Sequence, residues 1–482
     1  MRKLFTPIKI GNLEIKNRFM MAPMENGHAS FGGGINDSIT AFLVERAKND
    51  VGIIISGSIA VTPEGRGLPT QLCSYDESLL PGMKTLVDKI HEAGSLFGAQ
   101  LYHAGRQATQ AVTGIQPVAP SAIPCAILGN DPREMNKEDF KRILDAFVIG
   151  ARRMVDIGFD LIEVHFAHGY LLHSFLSPHS NKRTDEYGGS LENRARYPFQ
   201  VLKAVMDEVK GQVPVTIRIS IDEFLNDGLT FEEAKKICIM AEELGVDAIS
   251  ISAASYDSVE YIIQPMFIPQ GFLVKYAEEV KKQVKIPVIV AGRLNSAELI
   301  EDIVESGKAD MVAIGRGLIA DEELVVKIKN KDYKSIRYCI ACNQGCIDKV
   351  FIGQGAKCLV NPRAGYELTR KVIPAKHKKK VVIIGAGPAG LEAARIAKLR
   401  GHDVIVLDKV DRIGGKLELL SIPPEKDTFI KFRDYLYNQM VRLGVKFELV
   451  NVTSPEQLKP YNPDVVIVAT GATQSPPNFP IA

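Results

Sequence analysis

Between Phe19 and Gly317, short apolar runs alternate eight times with longer amphipathic stretches, and nothing else in the 482-residue chain restricts its fold as strongly. The runs are FMMAP from Phe19, GIIISGS from Gly52, LFGAQLYH from Leu96, LIEVHFA from Leu161, PVTIRIS from Pro214, AISISAAS from Ala248, PVIVAGR from Pro287 and MVAIGRG from Met311. Such alternation is the signature of parallel strands joined by helices. Helix starts are readable between them. Thr230 followed by Glu233 predicts a capping box, and Asn136 opens a helix whose apolar face is Phe140, Ile143, Leu144, Phe147 and Met154. Eight strand-helix units in about 300 residues fit a TIM barrel better than an open sheet. The segment from Gly105 to Pro132 is too long for a plain connection and is expected to be a lid or wall of a site.

A barrel of this kind carries its chemistry at the C-terminal ends of its strands, so polar residues ending apolar runs are the candidates. The fourth run continues into His165, His168, Tyr170 and His173. A metal site would need a carboxylate or a third ligand at a fitting spacing, and none is present. Two imidazole donors on a carbonyl oxygen, with a phenol delivering a proton, fit better, and His173 reads as a packed or capping residue. The third run ends with Gln100 and His103, and an amide that both donates and accepts suits a flavin pyrimidine edge. Arg218 is a charge inside the apolar fifth run and needs an anion or electron-rich ring to face. Runs seven and eight end in Gly292 with Arg293 and Gly315 with Arg316. The loops after these strands are the common phosphate site of the fold, which points to FMN.

Beyond the barrel, four of the seven cysteines, Cys339, Cys342, Cys346 and Cys358, form a C-x2-C-x3-C-x11-C pattern. Soft thiolates so spaced gather round one metal centre, and three close cysteines with a distant fourth suit an iron-sulfur cubane better than zinc, the rival. The basic run from Lys371 to Lys380 reads as a linker. From Val381 the sequence VVIIGAGPAGLEAARIAKLRGHDVIVLDK predicts strand, glycine turn, helix and strand. Gly385, Gly387 and Gly390 would let a pyrophosphate approach the helix, and Asp408 would meet a ribose hydroxyl. Asp464 to Ala472 holds one more strand. The expected architecture is thus α/β, with a barrel over 1–330, a cluster-binding segment over 331–375 and part of a Rossmann-like domain over 376–482.

A net charge of +2 gives no field for nucleic acid or an anionic membrane, and no stretch approaches the roughly 20 apolar residues of a membrane span. Three scattered cysteines besides the four predict a reducing, cytoplasmic setting rather than a disulfide framework. The expected partner is a small molecule, with self-association into a homo-oligomer left open.

From Leu4 to Pro480 the chain resembles the Old Yellow Enzyme-related iron-sulfur flavoenzymes, the group of 2,4-dienoyl-CoA reductase, 2-enoate reductase and trimethylamine dehydrogenase. The residues that carry the resemblance are APM from Ala22, QLYHAGR from Gln100, EVHFAHGYLLHSFLSP from Glu163, NKRTDEYGGSLENRARY from Asn181, CIACNQGC from Cys339, CLVNPRA from Cys358 and GAGPAG from Gly385. The resemblance implies an FMN barrel contacted by Pro23, Met24, Glu25, Gln100, Arg218, Arg293, Gly315 and Arg316. It also implies a [4Fe-4S] cluster on the four cysteines and FAD on the GAGPAG module. His165 and His168 would hold the substrate oxygen and Tyr170 would donate the proton. The implied activity is NAD(P)H-dependent reduction of an activated C=C bond in an enoate, enone or enoyl-CoA, with electrons passing from FAD through the cluster to FMN. The charged residues of NKRTDEYGGSLENR are expected only to lock the loop after strand four.

Two departures stand out. Glu25 occupies a position that is cysteine in some relatives, including the cysteine that ties FMN covalently in trimethylamine dehydrogenase. Relatives also continue through an NAD(P)H-binding domain and the rest of the FAD module, so a fragment is expected. Amine dehydrogenation is the competing enzyme reading. With no Trp in the chain an aromatic ammonium cage would lack its best member. A flavin electron carrier without substrate chemistry is the other alternative, and it would have no use for the polar trio His165, His168 and Tyr170.

Overall fold

The computed structural model describes residues 2–473 and forms all eight expected strands: β1 (Phe19–Met21), β2 (Ile53–Ile55), β3 (Leu96–Tyr102), β4 (Leu161–Phe166), β5 (Val215–Ser220), β6 (Ala248–Ser252), β7 (Val288–Val290) and β8 (Met311–Ile314). They pair in parallel in sequence order, and β8 returns to β1, closing the barrel. A two-residue strand, Ile59–Ala60, adds to β3. Parallel neighbours cannot be joined by tight turns, so each crossover carries its helix outside, and strands such as β4, β5 and β6 are buried along their whole length. An antiparallel hairpin, Ile8–Ile10 with Leu13–Ile15, plugs the end where the strands begin: Ile10 and Ile15 share one core cluster with Ile53, Leu161, Ala248 and Met311. The opposite end is left for chemistry.

The helix Lys137–Asp156 starts as its sequence predicts. The Asn136 side chain accepts from the Glu138 and Asp139 amides, and the Asp139 carboxylate accepts from the Asn136 amide. Its inward residues Ile143, Phe147 and Met154 are fully buried, each worth about 1.5–3 kcal/mol. Phe140 and Leu144 are half-buried. Phe140 stacks on Tyr187 at 4.4 Å and meets Tyr197 edge-on at 4.8 Å, clamping the loop after β4. Charges fix the same loop. Arg183 donates to the Pro120 and Met135 carbonyls, Asn181 donates to the Phe175 and Tyr187 carbonyls, and Arg194 reaches the Leu176 carbonyl and Glu233. The Thr230–Glu233 capping box is also formed.

The segment 105–132 differs from expectation, because none of its residues lines the cavity described below. It is pinned down instead. Val118–Ala119 pairs with Arg133–Glu134, Arg106 pairs with Asp257 and donates to the Pro124 carbonyl, and Asn130 donates to the Ala108 carbonyl.

Two compact units emerge, one of residues 1–331 with 341–369 and one of 332–340 with 370–482. In the first, the 341–369 stretch is tied to the barrel. His28 bonds the Ala356 carbonyl at 2.9 Å, the Ala356 amide donates to Asn26, and buried Arg46 pairs with Glu367 at 2.5 Å. The second unit holds β9 (Lys380–Ile384), β10 (Asp403–Asp408), β11 (Lys446–Leu449) and β12 (Val465–Val468), a parallel sheet in the order β11-β10-β9-β12, with the helix Pro388–Leu399 between β9 and β10. This is a Rossmann-like arrangement. Among the described residues, no helix is long and apolar enough to cross a membrane.

Candidate active site

The C-terminal ends of the strands enclose a cavity of about 1400 Å³ including its open mouth. Its lining gathers Pro23, Met24 and Glu25 after β1, Gln100 from β3, His165, His168 and Tyr170 from β4, Arg218 from β5, Gly292 and Arg293 after β7, and Gly315 and Arg316 after β8. The barrel residues expected to meet flavin or substrate therefore come to one place. His103, the other polar candidate of the third run, does not; it is buried behind the wall, accepting from the Gly105 amide. His173 also lies outside, fully buried and accepting from the Gly169 amide at 2.8 Å, so it braces the turn that presents Tyr170.

The two cavity histidines are held neutral. Burial, reinforced by the positive charge of Arg218, pushes both well below the usual imidazole range. The Ala167 amide donates to His165 Nδ1 at 3.1 Å, so the proton of that ring sits on Nε2. His168 Nε2 is hydrogen-bonded to Ser252 Oγ at 2.7 Å, a hydroxyl that also accepts from Arg218 Nη2 at 3.3 Å. His168 itself has a left-handed backbone, φ 66°, a conformation that bulky residues adopt only where the surroundings impose it. The Tyr170 ring is boxed edge-on by Tyr102 and His165, each at 4.9 Å, and its hydroxyl bonds that of Tyr256 at 3.1 Å. Burial raises the Tyr170 phenol well above its usual range, so it stays protonated.

On the opposite side, Gln100 is fixed at both ends. Its carbonyl accepts from Ser58 Oγ at 3.0 Å and its amide donates to Glu163 at 2.7 Å, leaving one N–H to spare. Arg218 is buried with Nε and Nη1 lacking any protein partner. A buried guanidinium with two unspent donors fits an electron-rich, hydrogen-bond-accepting ring such as a flavin's. Gly292 has φ 108°, and a Cβ on Gly315 would come within 2.9 Å of Met24 Sδ, so both loops keep their backbone bare where a phosphate would lie. Arg316 is partly engaged, donating to Asn343 at 2.6 Å and to the Gln264 carbonyl at 2.7 Å. Glu25 accepts from Gln71 at 2.9 Å, and desolvation lifts its carboxyl to about 7. The residues present fit FMN.

Sequence reasoning missed Ser58, Gln71, Ser252 and Tyr256, and the wall formed by Cys346, Ile347, Val350, Phe351 and Ala356. Ser252 and Tyr256 were within reach, since they end the sixth run much as His165 and Tyr170 end the fourth. The Val350 wall had no local signal. Cys342, Cys346 and Cys358 belong to the first unit and Cys339 to the second. Among the described residues, no three His, Cys, Asp or Glu side chains are drawn together as metal ligands, so only the donor chemistry of four thiols speaks for a cluster.

In the second unit Gly385 has φ 110°, and a Cβ there would meet the Ala469 carbonyl at 2.3 Å; a Cβ on Gly390 would meet the Gly385 carbonyl at 1.9 Å. Space beside Gly387 is open, at the N-terminus of the helix Pro388–Leu399, where a pyrophosphate gains from the helix dipole. Asp408 accepts from the Ala386 and Val410 amides, bracing this glycine turn. These features fit a dinucleotide.

A flavin-sized cavity at the mouth of a TIM barrel, with neutral imidazoles and a phenol facing it and a Rossmann-like unit following, defines a flavin-dependent oxidoreductase. The chain belongs to the NADH:flavin oxidoreductase / NADH oxidase family, whose model matches residues 3–335, and an NAD(P)-binding Rossmann-like domain matches residues 383–424. It is a flavin-dependent NAD(P)H oxidoreductase of the Old Yellow Enzyme-like group. It is 41% identical to an NADH oxidase of Thermoanaerobacter brockii over 99% of this chain and 74% of that protein. Identity to a cinnamate reductase of Clostridium sporogenes is 37%, over 98% and 74%. The solved structure of 2-naphthoyl-CoA reductase with 2-naphthoyl-CoA superposes with a TM-score of 0.95 at 35% identity, covering 99% of this chain and 75% of that one.

Proposed function

We propose that this oxidoreductase reduces the activated C=C bond of an α,β-unsaturated carbonyl compound, with FMN in the barrel cavity. The observation that carries the reading is the pair of neutral imidazoles, His165 and His168, packed beside the Tyr170 ring at the cavity wall. FMN, when bound, supplies hydride to the β-carbon. Arg218, Gln100, Gly292, Arg293, Gly315, Arg316, Pro23, Met24 and Glu25 would hold it. The two imidazoles hold the substrate oxygen and stabilise the negative charge that grows on it. Their rings are fixed in advance by the Ala167 amide and Ser252, which avoids reorganisation as charge develops. Tyr170 protonates the α-carbon, and its raised pKa keeps the proton in place until a carbanion-like centre is available.

Cinnamate reductase and 2-naphthoyl-CoA reductase, both similar along nearly the whole chain, support a substrate with a conjugated carbonyl. The further cofactors of the proposal rest on donor sets. FAD would lie on Gly385, Gly387, Gly390 and Asp408 and take hydride from NAD(P)H. A [4Fe-4S] cluster on Cys339, Cys342, Cys346 and Cys358 would supply one-electron transfer toward FMN. Replacing Tyr170 by Phe tests the site: reduction of enones and enoates should fall about 100-fold or more, as loss of a general acid implies, while flavin reduction is retained. Unchanged turnover would remove Tyr170 from the mechanism.

A further inference from the structure

A proton donor enclosed like Tyr170 must be recharged after every turnover, and its surroundings leave few ways to do it. Its ring is walled by Tyr102, His165 and His168, the last with centroids 6.2 Å away. His165 and His168 are neutral and have their second nitrogens committed to Ala167 and Ser252. The Tyr102 hydroxyl donates to Gln71 and accepts from the Gly67 amide. Glu25 is turned toward Gln71. The Tyr170 hydroxyl is hydrogen-bonded to the phenol of Tyr256, 3.1 Å away, with ring centroids 5.8 Å apart at 66°.

Tyr256, like Tyr170, is half-buried at the cavity wall; it sits on the short 3-10 turn Tyr256–Ser258 after β6, with Phe351 edge-on at 6.2 Å. The turn is pinned, since Ser258 donates to the Glu223 carbonyl at 2.5 Å and the neighbouring Asp257 pairs with buried Arg106. So the phenol is held in a fixed place against the Tyr170 hydroxyl.

We propose that Tyr256 is the relay that recharges Tyr170, and thus a second catalytic phenol of this enzyme. The proposal rests on the ene-reductase reading above. As the α-carbon takes the Tyr170 proton, the Tyr170 oxygen becomes anionic and takes the Tyr256 proton across their hydrogen bond. The Tyr256 oxygen is then protonated by water at the mouth. The two electrons come as hydride from the reduced flavin, so one hydride and one solvent proton are consumed per C=C bond. Before reaction, a bond donated by Tyr256 also turns the Tyr170 proton toward the substrate. Burial raises both phenols, so each holds its proton until the α-carbon draws on Tyr170.

The test compares Tyr256→Phe and Tyr256→His with the parent holoenzyme, reduced with dithionite and mixed with an enone in H2O and D2O. Tyr256→Phe should lower kcat about tenfold, a fraction of what a direct general acid contributes. KM should move much less, the solvent isotope effect on kcat should grow, and later turnovers should slow more than the first. Tyr256→His, which can still pass a proton, should recover part of the loss. Parent-like kcat and isotope effect in Tyr256→Phe would overturn the relay, and so would equal slowing of first and later turnovers with a raised KM, the mark of a damaged wall. Tyr170→Phe run alongside separates the two levels: if it turns over normally the ene-reductase reading itself fails, whereas dependence on Tyr170 without dependence on Tyr256 defeats only the relay.

Discussion

Replacing Glu25 by Gln should remove a pH-dependent cost from the barrel. Glu25 lines the cavity, where its carboxylate meets Gln71 and Ser58 and burial outweighs both contacts. A carboxyl that titrates at about 7 in the fold and near 4.5 when unfolded keeps its proton longer in the native state. The native state then binds more protons between those two values, so stability is full below about 4.5, falls as pH rises, and levels off above 7. The total loss is about 3 kcal/mol, an upper figure because cavity water screens the group. Gln has the same shape, keeps an oxygen for Gln71 and carries no charge. The variant should match the parent near pH 4.5 and exceed it progressively up to pH 7.5. The Tm gap should reach a few degrees, since about 1 kcal/mol is worth roughly 1–2 °C in a unit of this size. Thermal unfolding of flavin-free protein at half-unit steps from pH 4.5 to 8 measures it. Parallel Tm curves for parent and variant would show that Glu25 is solvated and ionises normally.

Two further outcomes follow from the same chemistry. Arg218→Met should weaken FMN binding tenfold or more in a fluorescence titration, because it removes a buried guanidinium with two donors unspent on the protein; unchanged affinity would take Arg218 out of the flavin site. Anaerobically purified protein should carry about four iron per chain, and Cys342→Ser should lose iron while keeping FMN; iron content untouched by the substitution, or zinc in its place, would refute the cluster.

How much of this was legible in the sequence follows the range of the forces involved. The barrel strands could be read because each is a local run of residues buried on both faces, and the helix starts because a cap involves residues three apart. Candidate residues at strand ends were legible too, since β4 delivers His165, His168 and Tyr170 to the cavity by backbone geometry alone. The segment 105–132 was misjudged as a wall. Its length is visible in the sequence, but the partners that pin it, Asp257 on Arg106 and Arg133–Glu134 beside Val118–Ala119, come from elsewhere in the chain.

The sequence by itself determined the α/β class, the family and the kinds of side chain that meet at the barrel mouth, because periodicity and motif spacing are properties of neighbours along the chain. Only the tertiary structure decided protonation and direction. That His168 meets Ser252, and through it Arg218, depends on residues brought from separate strands, whereas the Ala167 amide that sets the His165 tautomer is a near neighbour in the chain. That Glu25 titrates near 7 depends on burial, and that Tyr170 answers to Tyr256 depends on two loops meeting across 86 residues of chain. Desolvation and hydrogen bonding are set by what lies within a few ångströms, and for these groups the nearest neighbours in space are distant in sequence.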